Sequence, residues 1–207
     1  MMQSADDDVG GKGERTKALI LATAEELFAS RGYTATSTKQ VADEAGLTRG
    51  AVYFHFSDKK DLFRAVFEQL ELRLMERLAA GALGSTSAWD VLVAGCRVYL
   101  DACLEESFSR TVLLDAPSVL GWDEWRELED QYALGAMKST IEACIAEGSV
   151  HKRPVSPMAQ MLLACLTEAG MLIARSNRKR KLRKEMGGAV AVFLEGMAVA
   201  RGVGSDI

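Results

Sequence analysis

Residues 34–59 read TATSTKQVADEAGLTRGAVYFHFSDK, and this stretch decides the fold. Ser37 followed three residues later by Gln40 has the pattern of a capping box, which predicts a helix starting at Ser37. Val41 and Ala45 face inward on that helix, and Gly46 ends it where the chain can turn left-handed. Leu47 anchors the turn. Thr48 suits the cap of a second helix, whose Val52 and Phe56, four apart, face the same way as Leu47. Each helix has only about two turns, too short to stand alone in water, so both must pack on helices before and after them. Two short helices joined by a tight glycine turn form the helix-turn-helix arrangement that lays its second helix in the major groove of DNA.

With Val52 and Phe56 turned inward, Thr48, Arg49, Gly50 and Tyr53 are left on the outer side of the second helix. Arg49 can pair with a guanine edge or a phosphate. Gly50 removes bulk, so the backbone can come close to a duplex. Tyr53 offers a hydroxyl to phosphate and a ring to a thymine methyl. His55 and Lys59 follow at the start of the next helix, whose amino-terminal amides favour phosphate. Thr36 and Thr38, at the start of the preceding helix, have the same opportunity. These eight residues are the candidate DNA contacts.

The ordered set extends beyond the two helices. Leu27-Phe28, Gly32-Tyr33, Thr36 with Thr38, Val41-Ala42 with Ala45-Gly46, the run Gly50 to Phe56, and Lys59 three residues later all fall between Ala18 and Phe63. Together they resemble the DNA-binding domain of the TetR family of bacterial regulators. The resemblance implies that the second short helix enters the major groove, with Thr38, Thr48, Arg49, Gly50, Tyr53, His55 and Lys59 on DNA, mostly on phosphates. It also implies an all-helical ligand-binding and dimerisation domain, a palindromic operator read by a homodimer, and repression relieved by a small effector. The segment LLDAPSVLGWDEWRELEDQY, ending at Tyr132, resembles the C-terminal domains of some members.

Outward from this motif the chain reads as helix nearly throughout: strand-like alternation is absent and three prolines interrupt 207 residues. The expected fold class is all-α, about nine helices, with a small amino-terminal bundle and a larger carboxy-terminal one. A disordered acidic leader is expected over residues 1–13, a helix-turn-helix domain over 14–60, and an effector-binding and dimerisation domain over 61–202. A first helix is expected from Glu14 to Ser30, and a long helix capped by Ser57 should link the two domains. Another cap is expected at Ser156, before Pro157.

Composition limits the functions available. The net charge of -4 and pI near 5.4 supply no global basic surface, so affinity for nucleic acid must be local. Lys12–Lys60 holds eight basic and six acidic residues, a modest local excess. The basic run Arg175 to Lys184 lies between the last two helices and reads as a solvated loop or helix end. Two histidines, and no Ser-His-Asp, paired-carboxylate, phosphate-loop or metal-ligand spacing, argue against an enzyme and call for no metal or cofactor. Cys96, Cys103, Cys144 and Cys165 read as reduced thiols. No membrane span or signal peptide is expected, and the reading places the protein in the cytoplasm. The competing reading is a ligand-binding helical protein of the same fold without operator-specific DNA binding.

For an apolar effector the sequence offers Cys96, Tyr99, Cys103, Phe108, Trp122, Trp125, Met137 and Met161 as candidate lining, with Tyr132 and Met171 as further bulky groups. For a dimer interface built from the last two helices it offers Leu162, Leu166, Ile173, Val190, Phe193, Leu194 and Met197.

Overall fold

A computed structural model of the chain describes residues 6–199, with side chains from Gly11 onward. It contains α1 (Asp6–Arg31), α2 (Thr38–Glu44), α3 (Arg49–His55), α4 (Lys59–Ala82), α5 (Ala88–Ala102), α6 (Glu106–Phe108), α7 (Ala116–Val119), α8 (Trp122–Glu129), α9 (Gly135–Ala146), α10 (Val155–Arg175) and α11 (Lys179–Met197). π-helical stretches Ser109–Asp115 and Asp130–Leu134 join α6 to α7 and α8 to α9. Counting those two unbroken runs once each gives nine helices among the described residues. No strand occurs among them, only an isolated bridge between Val150 and Ala198.

The described residues pack as two compact units, those up to Leu70 with Glu106–Trp125, and Glu71–Glu105 with those from Arg126 onward. The core of the first is built at helical spacing. Ile20, Ala24, Leu27 and Phe28 of α1 meet Val41 and Ala42 of α2, Val52 of α3, and Leu62, Phe63, Val66 and Phe67 of α4, all buried. Phe28, Phe63 and Tyr33 make three ring contacts with centroids 5.1 to 5.9 Å apart. Each large apolar side chain so buried stabilises the unit by about 1.5–3 kcal/mol relative to exposure, which is how two short helices become stable.

Three local expectations change. Helix α1 begins at Asp6, inside the stretch expected to be a leader, and residues 1–5 and 200–202 lie outside the described residues. Asp58, not Ser57, caps α4: its Oδ1 accepts from the Asp61 amide, while Asp61 Oδ2 accepts from the Ser57 amide and hydroxyl. Helix α10 starts at Val155 without a side-chain cap, so Ser156 lies within it.

The larger difference concerns residues 106–125, expected in the second domain. They belong to the unit that carries the helix-turn-helix. Asp115 Oδ2 accepts from the Tyr33 amide at 2.9 Å. Arg110 donates at 3.3 Å to the carbonyls of Ala29 and Ser30, which end α1. Lys60 pairs with Glu124 at 2.8 Å. Gly32 makes the approach of Arg110 possible: it holds φ +81°, and a Cβ there would meet the guanidinium at 2.9 Å.

In the second unit α5, α9, α10 and α11 pack around Leu92, Leu100, Ile141, Leu163, Ile173 and Leu194. Helix α10 is long and apolar enough to cross a membrane by length and composition. Half of that stretch is buried inside the protein, as befits a core helix.

Candidate nucleic-acid interface

The turn between α2 and α3 is built by local chemistry. Ser37 Oγ accepts from the Gln40 amide at 3.2 Å, and Gln40 Oε1 accepts from the Ser37 amide at 2.8 Å. At the other end Gly46 takes φ +66°, and the Leu47 amide returns to the Ala42 carbonyl at 2.9 Å. Thr48 Oγ1 then accepts from the Ala51 amide and starts α3.

With Val52 and Phe56 buried, α3 turns Arg49, Gly50, Tyr53 and Phe54 outward. The Tyr53 hydroxyl stands 3.1 Å from Thr38 Oγ1 and accepts from Arg49 Nη2 at 3.1 Å. The Arg49 guanidinium lies 5.2 Å from the Tyr53 ring centroid. Hydrogen bonds from Thr38, then Arg49, lower the Tyr53 pKa from its ordinary value. The polar tips of α2 and α3 are therefore joined before any ligand arrives, so less order must be imposed on binding.

The eight candidates divide. Thr48, Arg49, Gly50 and Tyr53 are exposed, and His55 is half-buried with its ring edge-on to Phe54. Thr38 is buried, and its hydroxyl reaches Tyr53. Thr36 corrects the expectation: it is 2% exposed, and its hydroxyl hydrogen-bonds the Leu27 and Gly32 carbonyls, so it braces the α1–α2 connection. Lys59 Nζ donates at 2.8 Å to the carbonyls of Tyr33 and Thr36 and lies 4.0 Å from the Tyr33 ring centroid. Its charge pins the loop before α2 rather than projecting outward.

Phe54 was missed. It is 81% exposed and lies two residues from both Val52 and Phe56, roughly 200° around the helix from each. That makes Gly50 and Phe54 the outermost side of α3. The helical phase contains this signal, but an apolar side chain invites assignment to a core.

In the second unit a cavity of about 90 Å³ is lined by Leu74, Leu78, Cys96, Tyr99, Met137 and Leu166 among others. Of the expected lining residues it gathers Cys96, Tyr99 and Met137. Cys103 is buried but not on its wall, and its thiol donates to the Tyr99 carbonyl. Phe108 and Trp125 are buried in the other unit, where Trp122 lies 64% exposed against Trp125. Met161 faces outward. Tyr132 and Met171 do not line the cavity either. Two acids, Glu71 and Glu129, are buried beside Tyr99. Nothing in the sequence marks them, because a glutamate in a helix reads as solvent-facing.

The expected dimer residues also need correction. Leu162, Leu166, Ile173, Val190 and Leu194 are buried within the single chain. The apolar surface of α10 and α11 that remains outside is a groove lined by Met158, Met161, Cys165, Phe193 and Met197, with Phe193 59% exposed. Of the expected set, Phe193 and Met197 are on this groove, whereas the other five follow the inward stripe of each helix.

Comparison with known proteins agrees with this architecture. Residues 20–66 match the family described as bacterial regulatory proteins, tetR family, and residues 89–197 match the Tetracyclin repressor-like C-terminal domain. The Transposon Tn10 TetC protein of Escherichia coli is 25% identical over 63% of this chain and 66% of its own. The HTH-type transcriptional regulator AcrR of Shigella flexneri is 42% identical over 31% of this chain and 30% of its own. This chain thus matches less than two thirds of the length of these relatives. A TetR-family regulator from Pectobacterium atrosepticum superimposes with TM-score 0.80 at 34% identity, covering 91% of this chain and 97% of that one. FadR from Bacillus subtilis, solved in complex with stearoyl-CoA, shares the fold with TM-score 0.76 at 17% identity, over 87% of this chain and 98% of its own.

Proposed function

This chain belongs to the TetR family of bacterial transcriptional regulators, and we propose that it is a cytoplasmic homodimeric repressor that leaves its operator when a small molecule enters the second unit. The observation that carries this reading is the outward face of α3. Arg49 and Tyr53 are joined to Thr38 on α2, while Val52 and Phe56 hold the helix to its unit. Such a face fits a groove: Arg49 as a base or phosphate donor, Tyr53 and Thr48 as phosphate donors, Gly50 and Phe54 closest to the bases.

Two copies related by a two-fold axis would set their α3 helices about 34 Å or somewhat more apart, matching successive major grooves of a palindrome. The exposed apolar groove of α10 and α11 supports such pairing. Helix α4 supplies both units, with Phe63 in the core of one and Leu74 on the cavity wall of the other. A ligand that shifts α4 would change the spacing of the recognition helices and release DNA.

Selection of bound fragments from a random duplex pool tests the reading. The expected result is a palindromic consensus whose affinity falls steeply with salt. Recovery of random fragments only would leave a ligand-binding protein without operator specificity.

A further inference from the structure

The cavity in the second unit is apolar except for Tyr99 and Thr140. Beside Tyr99, two carboxyl groups are enclosed, Glu71 of α4 at 3% exposure and Glu129 of α8 at 4%. Their surroundings are unequal. Glu129 is held by Arg126 at 2.7 Å and accepts from the Thr167 hydroxyl at 3.4 Å. The Oε2 atom of Glu71 is enclosed without any hydrogen-bond partner. Neither acid is on the cavity wall itself; Glu71 stands one helical turn from Leu74, which is, and so lies behind that wall on the same side of α4. Tyr99 lines the cavity and is within electrostatic reach of both acids, as is Cys103 of Glu71.

We propose that this cavity takes a small organic cation, an ammonium head on a slender apolar body, with Glu71 as the counter-ion. The inference rests on the effector reading above and gives that effector its chemical class. An ionised carboxylate enclosed without a partner is costly, so the empty site keeps Glu71 protonated: burial, then the neighbouring Glu129, raises its pKa to about 8. An ammonium supplies both the donors and the positive charge that the site lacks. A hydroxyl can pair with the neutral acid but gains nothing from ionising it, and an anionic head would oppose that ionisation. The apolar walls take the body of the ligand. The cavity is small, about 90 Å³, which favours a narrow chain over a branched or ring-bearing body.

The test compares hexylammonium with 1-hexanol, the same chain ending in a cation or a hydroxyl, titrated calorimetrically into the DNA-free protein. At pH 7 hexylammonium should bind about tenfold or more tightly than hexanol and displace close to one proton, read from heats in buffers of different ionisation enthalpy. Its affinity should rise with pH and level off above about 8. Glu71→Gln keeps the shape and removes the charge; it should bring the two affinities within about twofold of each other and abolish proton release. Absent hexylammonium binding, equal affinities in the native protein, or a preference that survives in Glu71→Gln would overturn the proposal. The proton count is read on the native protein, so the test holds even where the variant folds poorly. Operator binding is measured separately: a protein that binds the cation but no operator refutes the regulator reading alone, and the converse refutes the cation site alone.

Discussion

The Tyr53 hydroxyl lies 3.1 Å from Thr38 Oγ1, joining the recognition helix α3 to the first turn of α2. The same oxygen receives Arg49 Nη2, so one hydroxyl orients both the tip of its own ring and the exposed Arg49 guanidinium. Tyr53→Phe should fold normally, since the ring is exposed, yet weaken operator binding about threefold to tenfold by freeing Arg49 and Thr38. Arg49→Ala should cost about 1–3 kcal/mol of operator affinity and relax selectivity at the base it contacts. Fluorescence anisotropy with a selected operator measures both; unchanged affinities would remove this pair from the interface.

Phe54, outermost on α3, has an apolar ring directed away from its own core. Placed in a major groove it can meet a thymine methyl. Replacing single thymines of the operator by deoxyuridine should weaken the native protein about fourfold at one position per half-site, the scale of one buried methyl. Phe54→Ala should bind both duplexes alike.

Lys59 donates to two loop carbonyls and lies over the Tyr33 ring. Lys59→Met should therefore lower the unfolding free energy by about 1–3 kcal/mol, in line with hydrogen bonds from a charged donor. The salt dependence of operator binding should keep nearly its native slope, because the charge is engaged within the unit. Urea unfolding and a salt titration read the two effects separately.

Glu71 gives stability a pH dependence of definite sign. Its pKa lies near 8 in the folded protein and at the ordinary glutamate value when unfolded. Between those values the folded state binds the extra proton, so stability falls as pH rises, by at most about 1.4 kcal/mol per unit, and levels off above 8. Glu129, also raised by burial, acts in the same direction. Chemical unfolding at pH 5.5, 7 and 8 should show the decline in the native protein and a shallower one in Glu71→Gln.

Phe193 is the exposed aromatic side chain of the α10–α11 groove. Phe193→Asp should yield monomers by light scattering with the helical signal intact, and should weaken operator binding by removing the second half-site contact. Dimers that persist would move the interface elsewhere.

Much of the DNA-facing unit was legible because it is written in local chemistry. Ser37 with Gln40, Gly46 and Thr48 act within a few residues of themselves, and their caps and turn form as those residue types require. The spacing of Val52 and Phe56 likewise determines which side of α3 is free, provided the helix is followed far enough to reach Phe54. The all-helical class follows from the same periodicity.

Other features depend on residues far apart in the chain, and no periodicity carries them. Arg110 and Asp115 join α1 and its loop across some eighty residues. Thr36 and Lys59 look like free polar groups until the fold brings carbonyls to them. The carboxyls of Glu71 and Glu129 are enclosed only because α4, α5, α8 and α10 assemble around Tyr99 and Thr167. Helix periodicity identifies an apolar stripe, but two stripes on α10 and α11 compete, and packing alone settles that Leu162 and Leu194 turn inward while Met161 and Phe193 stay outside. The sequence thus determined the helical class, the caps and turn of α2 and α3, and which side of α3 is free, where partners are close neighbours. Tertiary structure decided which polar groups are engaged and which acids are buried, because enclosure is a property of the whole assembly around a residue.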